Sequence, residues 1–173
     1  MTGQNGPVRV IVTGVPGSGK TTLATALATE LGVRYLGKDL IKAALWDALG
    51  PGDFAWSTQL GGAASEALLV LARGLDDVVV DHPVPSVYAE PWRALPVLEV
   101  HCSCPADVAR ERYAQRRRHA CHFDHERIAM YEEWIADDRA RAPLGLRLEV
   151  DTTRPSDVVA VANWVRTAAR SPR

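Results

Sequence analysis

One run constrains this chain more than any other: Gly14-Val15-Pro16-Gly17-Ser18-Gly19-Lys20-Thr21. It fits the pattern G-x-x-x-x-G-K-[ST], and Thr22 adds a second hydroxyl. Val8-Arg9-Val10-Ile11-Val12 before it is a short β-branched stretch, the composition of a buried parallel strand. After it, Leu23, Leu27 and Leu31 recur at helical spacing, and Gly32 sits where a helix would stop. A strand that feeds a glycine turn into a helix makes an anion site. The glycines let successive N–H groups point inward, and the helix N-terminus adds partial positive charge. The pattern implies that Lys20 reaches the β- and γ-phosphates of a nucleoside triphosphate and that the Thr21 hydroxyl ligates Mg²⁺.

The length of 173 residues suits a single α/β domain, taken as 1–173, which can bury about two-thirds of its surface. A formal net charge of −1 gives no global pull toward nucleic acid or an anionic membrane. The local run Arg116-Arg117-Arg118 lacks the aromatic alternation of an RNA-binding patch, so nucleic acid is not the expected partner. No apolar stretch reaches bilayer length and the N-terminus has no secretory pattern, so the expected location is the cytoplasm. Cys102, Cys104 and Cys121 are an odd set, which argues against a disulfide framework. His119, Cys121, His122 and His125 crowd one segment, but their spacing matches no familiar zinc pattern and reads as a solvated histidine-rich loop.

Taken in order, Arg34-Tyr35-Leu36 is a second strand, and Lys38-Asp39 leads into a helix with Leu40, Ile41, Ala44, Leu45, Ala48 and Leu49 as its expected apolar face. Gly50-Pro51-Gly52 ends that helix. The aperiodic aromatic stretch 53–57 reads as loop, followed by a helix over 63–75. Asp77 to Asp81 is the third strand, with an acid at its C-terminal end, and the prolines of His82-Pro83-Val84-Pro85 force a loop. Pro96 to Cys102 is the fourth strand. A helix opened by Pro105, with Asp107 in its first turn, runs toward Arg118. Helix resumes over 125–141, Leu146 to Val150 is the fifth strand, and Val158, Val161, Ala162 and Val165 mark a last helix. Five strands alternating with helices predict a doubly wound, five-stranded parallel sheet of the P-loop NTPase class with one nucleotide site. A helical region at 38–75 flanks the substrate side, and an arginine-rich segment at about 112–127 reads as a short lid.

Phosphoryl transfer needs cations on the phosphates, an in-line acceptor and a carboxylate near the acceptor proton. Asp39 starts a helix at the edge of the sheet, where it can act as general base, as N-cap, or as both. Asp81 ends a strand as a Walker-B acid does, to hold Mg²⁺ or orient the acceptor; the alternative is an ordinary turn aspartate. Arg112 and Arg116, four apart, would share a helical face aimed at one phosphate chain, or form a solvated charged face. Phe54 and Trp56 are candidates to line the acceptor pocket.

The glycine loop Gly14–Thr22, Lys38-Asp39 opening a helix, Val80-Asp81, Arg112 with Arg116 before a lid, and Asp151-Thr152-Thr153 after the last strand together resemble a known group. It is the small P-loop kinases that include chloramphenicol phosphotransferase and the zeta-toxin-like kinases, within the nucleoside-monophosphate-kinase-like fold. The resemblance implies an ATP-dependent O-phosphotransferase acting on a hydroxyl of a small molecule. It implies Asp39 as base, Arg112 and Arg116 on the triphosphate, and the loop with Thr153 and Arg154 against adenine. Residues 51–59 and 82–92 match nothing in that group, so the acceptor stays open between a metabolite, a nucleoside and an antibiotic-like natural product. The competing readings are a nucleoside or nucleotide kinase and a regulatory NTPase module. The latter finds no N-K-x-D guanine motif here.

Overall fold

The computed structural model describes residues 8–170. The expected lack of a leader at the extreme N-terminus, and both ends of the 1–173 span, lie outside the described residues. The elements follow the predicted alternation. Strand β1 (Arg9–Thr13) feeds the glycine loop and helix α1 (Lys20–Leu31), then come β2 (Arg34–Gly37), α2 (Lys38–Leu49), α3 (Phe54–Gly74) and β3 (Val78–Asp81). The second half holds α4 (Ala89–Arg93), β4 (Leu98–Ser103), α5 (Ala106–Gln115), α6 (Asp124–Arg127), α7 (Tyr131–Ala140), β5 (Leu146–Asp151) and α8 (Val158–Arg170).

The five strands form one wholly parallel sheet in the order β2-β3-β1-β4-β5. Strand periodicity sends alternate side chains to opposite faces, and here both faces are covered. Val10, Val12, Val79, Leu98, Val100 and Cys102 pack on one face against Leu23 and Leu27 of α1 and Val161 and Val165 of α8. Ile11, Val78 and Val80 pack on the other, against Leu68, Leu69 and Ala72 of α3 and Trp92 of α4. On that second face β4 places Glu99, a fully buried carboxylate. It accepts from Thr13 Oγ1 and Arg141 Nη2 at 2.7 Å each, from Leu144 N at 2.8 Å and from Arg147 Nε at 2.9 Å. This cluster ties β1, β4, β5 and the connection after α7 together. Burial alone would push the Glu99 carboxyl up, but the bonds from Arg147, the Leu144 N–H, Arg141 and Thr13 bring it down to about 2.

Three expectations need correction. Residues 53–57 are not a loop: Asp53 caps α3 by accepting from the Trp56 N–H at 2.8 Å, so one long helix replaces the shorter one over 63–75. The inward face of α2 is not leucine-rich. Leu40 and Leu49 are each 62% exposed, while Lys42 and Trp46 are buried. The physical reason is that α2 packs on α3 and on the Leu60–Cys121 cluster around Trp46, and not flat on the sheet. Finally, α5 ends at Gln115 and Arg116 adopts an extended conformation (φ −73°, ψ 145°), so Arg112 and Arg116 do not share a helical face. After α5 the chain runs through a 3-10 turn at Ala120–His122 instead of continuing the helix.

Candidate functional site

Open parallel sheets bind ligands beyond the C-terminal ends of their strands, where the strand order reverses. Here that point is β1, flanked by β3 and β4, and a cleft of about 500 Å³ opens above it. The glycine loop forms its floor. Gly14 and Gly17 hold φ of 126° and 87°, and a Cβ at either would lie 2.4 Å from the Cys102 carbonyl oxygen or 2.1 Å from that of Ala109. Only glycine fits such close backbone approaches. Ser18 is wholly buried. Around the loop, the Tyr131 hydroxyl donates to Pro16 O at 2.6 Å and Thr152 Oγ1 donates to Ser18 O at 2.6 Å.

Lys20 opens α1 at the positive end of the helix, and its Nζ donates back to Val15 O at 2.8 Å. Burial lowers its pKa, opposed by Asp81. Thr21 Oγ1 donates to Asp81 Oδ2 at 2.6 Å, and the Tyr35 hydroxyl reaches the same oxygen at 3.1 Å. Sheet register produces this pairing, because β3 lies beside β1 and Asp81 is level with Val12. Two hard oxygen ligands facing a phosphate cradle suit Mg²⁺, which takes one or two protein oxygens and fills its shell with phosphate and water.

Asp39 stands across the cleft in the first turn of α2. It forms a close ion pair with Arg118, and lies 3.8 Å from Lys38 Nζ and 3.9 Å from His122 Nδ1. Burial works against its charge, yet Lys38, Arg118, His122 and Arg116 together hold its carboxyl far below the ordinary carboxylate range. Arg118 is shared with Asp124, to which its Nε donates at 2.8 Å. Arg116 lies 4.4 Å above the Tyr113 ring and faces the cleft. His122 is buried, and burial brings its pKa down to about 4, so it is neutral near pH 7.

Of the residues singled out in the sequence, Gly14, Val15, Pro16, Lys20, Thr21, Asp39, Asp81 and Arg116 therefore line one cleft. Gly17, Ser18 and Gly19 shape the loop from beneath. Thr22, Thr153 and Arg154 are exposed outside the cleft. Arg112 also lies outside it, donating to Thr152 O at 2.9 Å and Thr153 O at 2.8 Å, so it fastens the loop after β5. Phe54 and Trp56 do not line the cleft; Phe54 packs edge-on against Phe123, and Trp56 Nε1 donates to Gly50 O. Thr58 and Gly61, one turn further along α3, face the cleft instead.

Sequence reasoning overlooked Arg118 as a partner of Asp39, and Lys42, Arg127 and Asp138 as cleft residues. One signal was available for Lys42: it lies four residues before Trp46, on the same face of α2. The proline loop after β3 forms a further wall through Pro83 and Pro85. Between them Val84 is fully buried at φ 48°, a costly conformation for a β-branched residue. His119, Cys121, His122 and His125 do not converge: His119 pairs with Asp47, Cys121 packs under Trp46, and among the described residues no group of three or more His, Cys, Asp or Glu side chains is arranged to hold a metal. Among the described residues no helix is long and apolar enough to cross a membrane.

The comparisons agree with this architecture. A structure from Chloroflexus aurantiacus J-10-fl, described as a "putative kinase", is 33% identical, with a TM-score of 0.78 over 93% of this chain and 97% of that one. A sugar kinase from Janibacter sp. HTCC2649 is 20% identical (TM-score 0.59; 96% and 99% covered), and a shikimate kinase from Bacteroides thetaiotaomicron is 16% identical (TM-score 0.62; 95% and 99% covered). At those identities the last two speak for the fold alone. No curated protein matches the chain. A family profile described as "AAA domain" matches residues 10–137, which span β1, the glycine loop, Asp39, Asp81 and the arginine segment. The chain belongs to that AAA-domain family and has a P-loop kinase-like fold.

Proposed function

We propose that this protein is an ATP-dependent kinase that transfers the γ-phosphoryl group to a hydroxyl of a small molecule, working with Mg²⁺ in the cytoplasm. The observation that carries the reading is one cleft holding a phosphate cradle with Lys20, the Thr21–Asp81 oxygen pair, and Asp39 facing them. The 33% identical relative described as a "putative kinase" supports it, as does the fold shared with a sugar kinase and a shikimate kinase. The order of motifs, which resembles that of chloramphenicol phosphotransferase and the zeta-toxin-like kinases, points the same way.

The loop N–H groups and the N-terminus of α1 hold the β- and γ-phosphates. Lys20 leaves Val15 O and moves onto those oxygens. Thr21 and Asp81 would hold Mg²⁺, which would supply positive charge against the phosphate oxygens. Asp39 accepts a hydrogen bond from the acceptor hydroxyl, orients it in line and receives its proton late. A carboxyl held so acidic is a weak base, which suits a loose transition state in which the acceptor proton departs after phosphorus–oxygen bonding begins. Entry of the hydroxyl requires Asp39 to exchange part of its contact with Arg118, releasing a guanidinium toward the transferring group. Arg116 contributes from the Tyr113 side, where charge develops. Arg112 with the loop of Thr153 and Arg154 borders the adenine end.

The test is ATP turnover with and without a panel of hydroxyl compounds. Turnover that requires an acceptor supports the reading. Saturable turnover indifferent to every acceptor replaces it with an NTPase.

A further inference from the structure

At the acceptor end of the cleft the cations outnumber the carboxylates. Lys42 Nζ donates to Ser57 Oγ at 2.8 Å, and Arg127 Nη2 donates to the same oxygen at 3.3 Å. Two cations thus converge on one neutral hydroxyl, which itself donates to Cys121 O at 2.5 Å. Arg127 also donates to Thr58 Oγ1 at 3.0 Å and lies 4.6 Å above the Phe54 ring. Among the described residues neither Lys42 nor Arg127 has a carboxylate within ion-pair distance. Lys42 is only 2% exposed. Lys38 joins them from one turn earlier on α2. A Cβ built on Gly61 would lie 3.9 Å from its Nζ, so position 61 places no side chain against that amine.

The nearby acids are already committed. Asp39 is shared between Lys38 and Arg118, and Asp124 pairs with Arg118. Of the acids of α7, Asp137 accepts from the Ser86 N–H at 2.9 Å and Asp138 lies 3.4 Å from His101 Nε2. Burial, then Lys38 and Arg127, brings the Lys42 amine down to about 8, the behaviour of a cation short of counter-charge. Buried like charges oppose folding, and an anionic ligand relieves that cost.

We infer that Lys42, Arg127 and Lys38 form an anion subsite for the acceptor, so that the substrate carries a carboxylate or phosphate group in addition to the hydroxyl presented to Asp39. This rests on the kinase reading above. The shared chemistry is a cluster of anionic oxygens, which a planar guanidinium and two ammonium groups bind well.

The experiment uses full-length protein saturated with Mg²⁺ and the non-hydrolysable analogue AMP-PNP, so that the phosphate loop is filled. Inorganic sulfate and acetate are titrated separately at constant ionic strength, following amide chemical shifts. Saturable binding of at least one is expected, weakened at least tenfold in Lys42→Met and Arg127→Met, with AMP-PNP affinity unchanged. Stronger binding of sulfate identifies a phosphate-bearing acceptor, and stronger binding of acetate a carboxylate. In Lys42→Met, Ser57 Oγ keeps its bond from Arg127, so the anion-free variant should melt no lower than wild type. Absence of saturable binding overturns the inference, as does equal anion affinity in both variants. A lower melting temperature of Lys42→Met with anion binding intact overturns it too, because the lysine is then structural. None of these readouts involves turnover, so failure of the kinase reading would appear separately, as acceptor-independent hydrolysis.

Discussion

Replacing Glu99 with Gln removes one charge from the centre of the fold while keeping its size. Its partner Arg141 has a side chain with no exposure at all, so the guanidinium cannot recover water when its counter-charge is lost. Arg147, 17% exposed, can lean on Glu149, already 3.4 Å away, so most of the cost falls on Arg141. Breaking a buried pair by removing one partner costs about 3–5 kcal/mol. The carboxyl itself gives a second route to the number. It falls from 4.5 to about 2 on folding, and at about 1.4 kcal/mol per pH unit that corresponds to about 3 kcal/mol. For a chain of this size the loss should lower the melting temperature by about 6–12 °C. A group whose pKa is depressed by folding gives stability that is present above its unfolded value and lost below it. Wild type should therefore lose this contribution between pH 4.5 and about 2, and Glu99→Gln should lack that part of the acid dependence. Urea unfolding followed by circular dichroism across that range reads both effects. The double variant Glu99→Gln/Arg141→Met should recover much of the loss, since a neutral, apolar replacement leaves no orphaned charge. A Glu99→Gln protein within about 1 kcal/mol of wild type, with the same acid dependence, would show that the Glu99 charge does not stabilise the fold.

Three further outcomes are expected. Arg112→Ala should raise KM for ATP with kcat nearly intact, because Arg112 holds the carbonyls of Thr152 and Thr153, while Arg116→Ala should cost about 10²-fold in kcat; the opposite split would reverse their roles. Asp81→Asn should move the Mg²⁺ requirement for product formation upward while leaving Mg²⁺-free nucleotide affinity unchanged, and an unaltered Mg²⁺ titration would remove Asp81 from the metal site. Because Lys38 and Arg118 outweigh burial at Asp39, its carboxylate stays charged throughout pH 5–8; the kcat profile should have no acid limb there that disappears in Asp39→Asn, and finding one would contradict the assigned electrostatics.

The parts of the site that follow from local chemistry were legible in the sequence. The glycine loop announces its own turn and helix, and a β-branched run ending in Asp81 implies a buried strand with an acid at its tip. The pairing of Asp81 with Thr21 then follows once β3 lies beside β1. What escaped depends on where helices end and what they pack against. Arg116 leaves α5 because the helix stops at Gln115, and neither a glycine nor a proline marks that end. Lys42 and Trp46 point inward because α2 leans on α3, whereas a leucine count favours the face carrying Leu40 and Leu49. Glu99 reads as a polar interruption of β4, since its partners Thr13, Arg141, Leu144 and Arg147 lie 42 to 86 residues away.

In the proposed mechanism Asp39 presents a hydroxyl acceptor to a phosphoryl group held by Lys20, Thr21 and Asp81. This role is tested most directly by following γ-labelled ATP with an acceptor found by turnover screening, in wild type and in Asp39→Asn. Label is expected in an organic phosphate product made by wild type. Asp39→Asn should make that product about 10²–10⁴-fold more slowly while binding nucleotide as well as wild type does. Label that emerges only as inorganic phosphate, at the same rate in both proteins, would contradict that role.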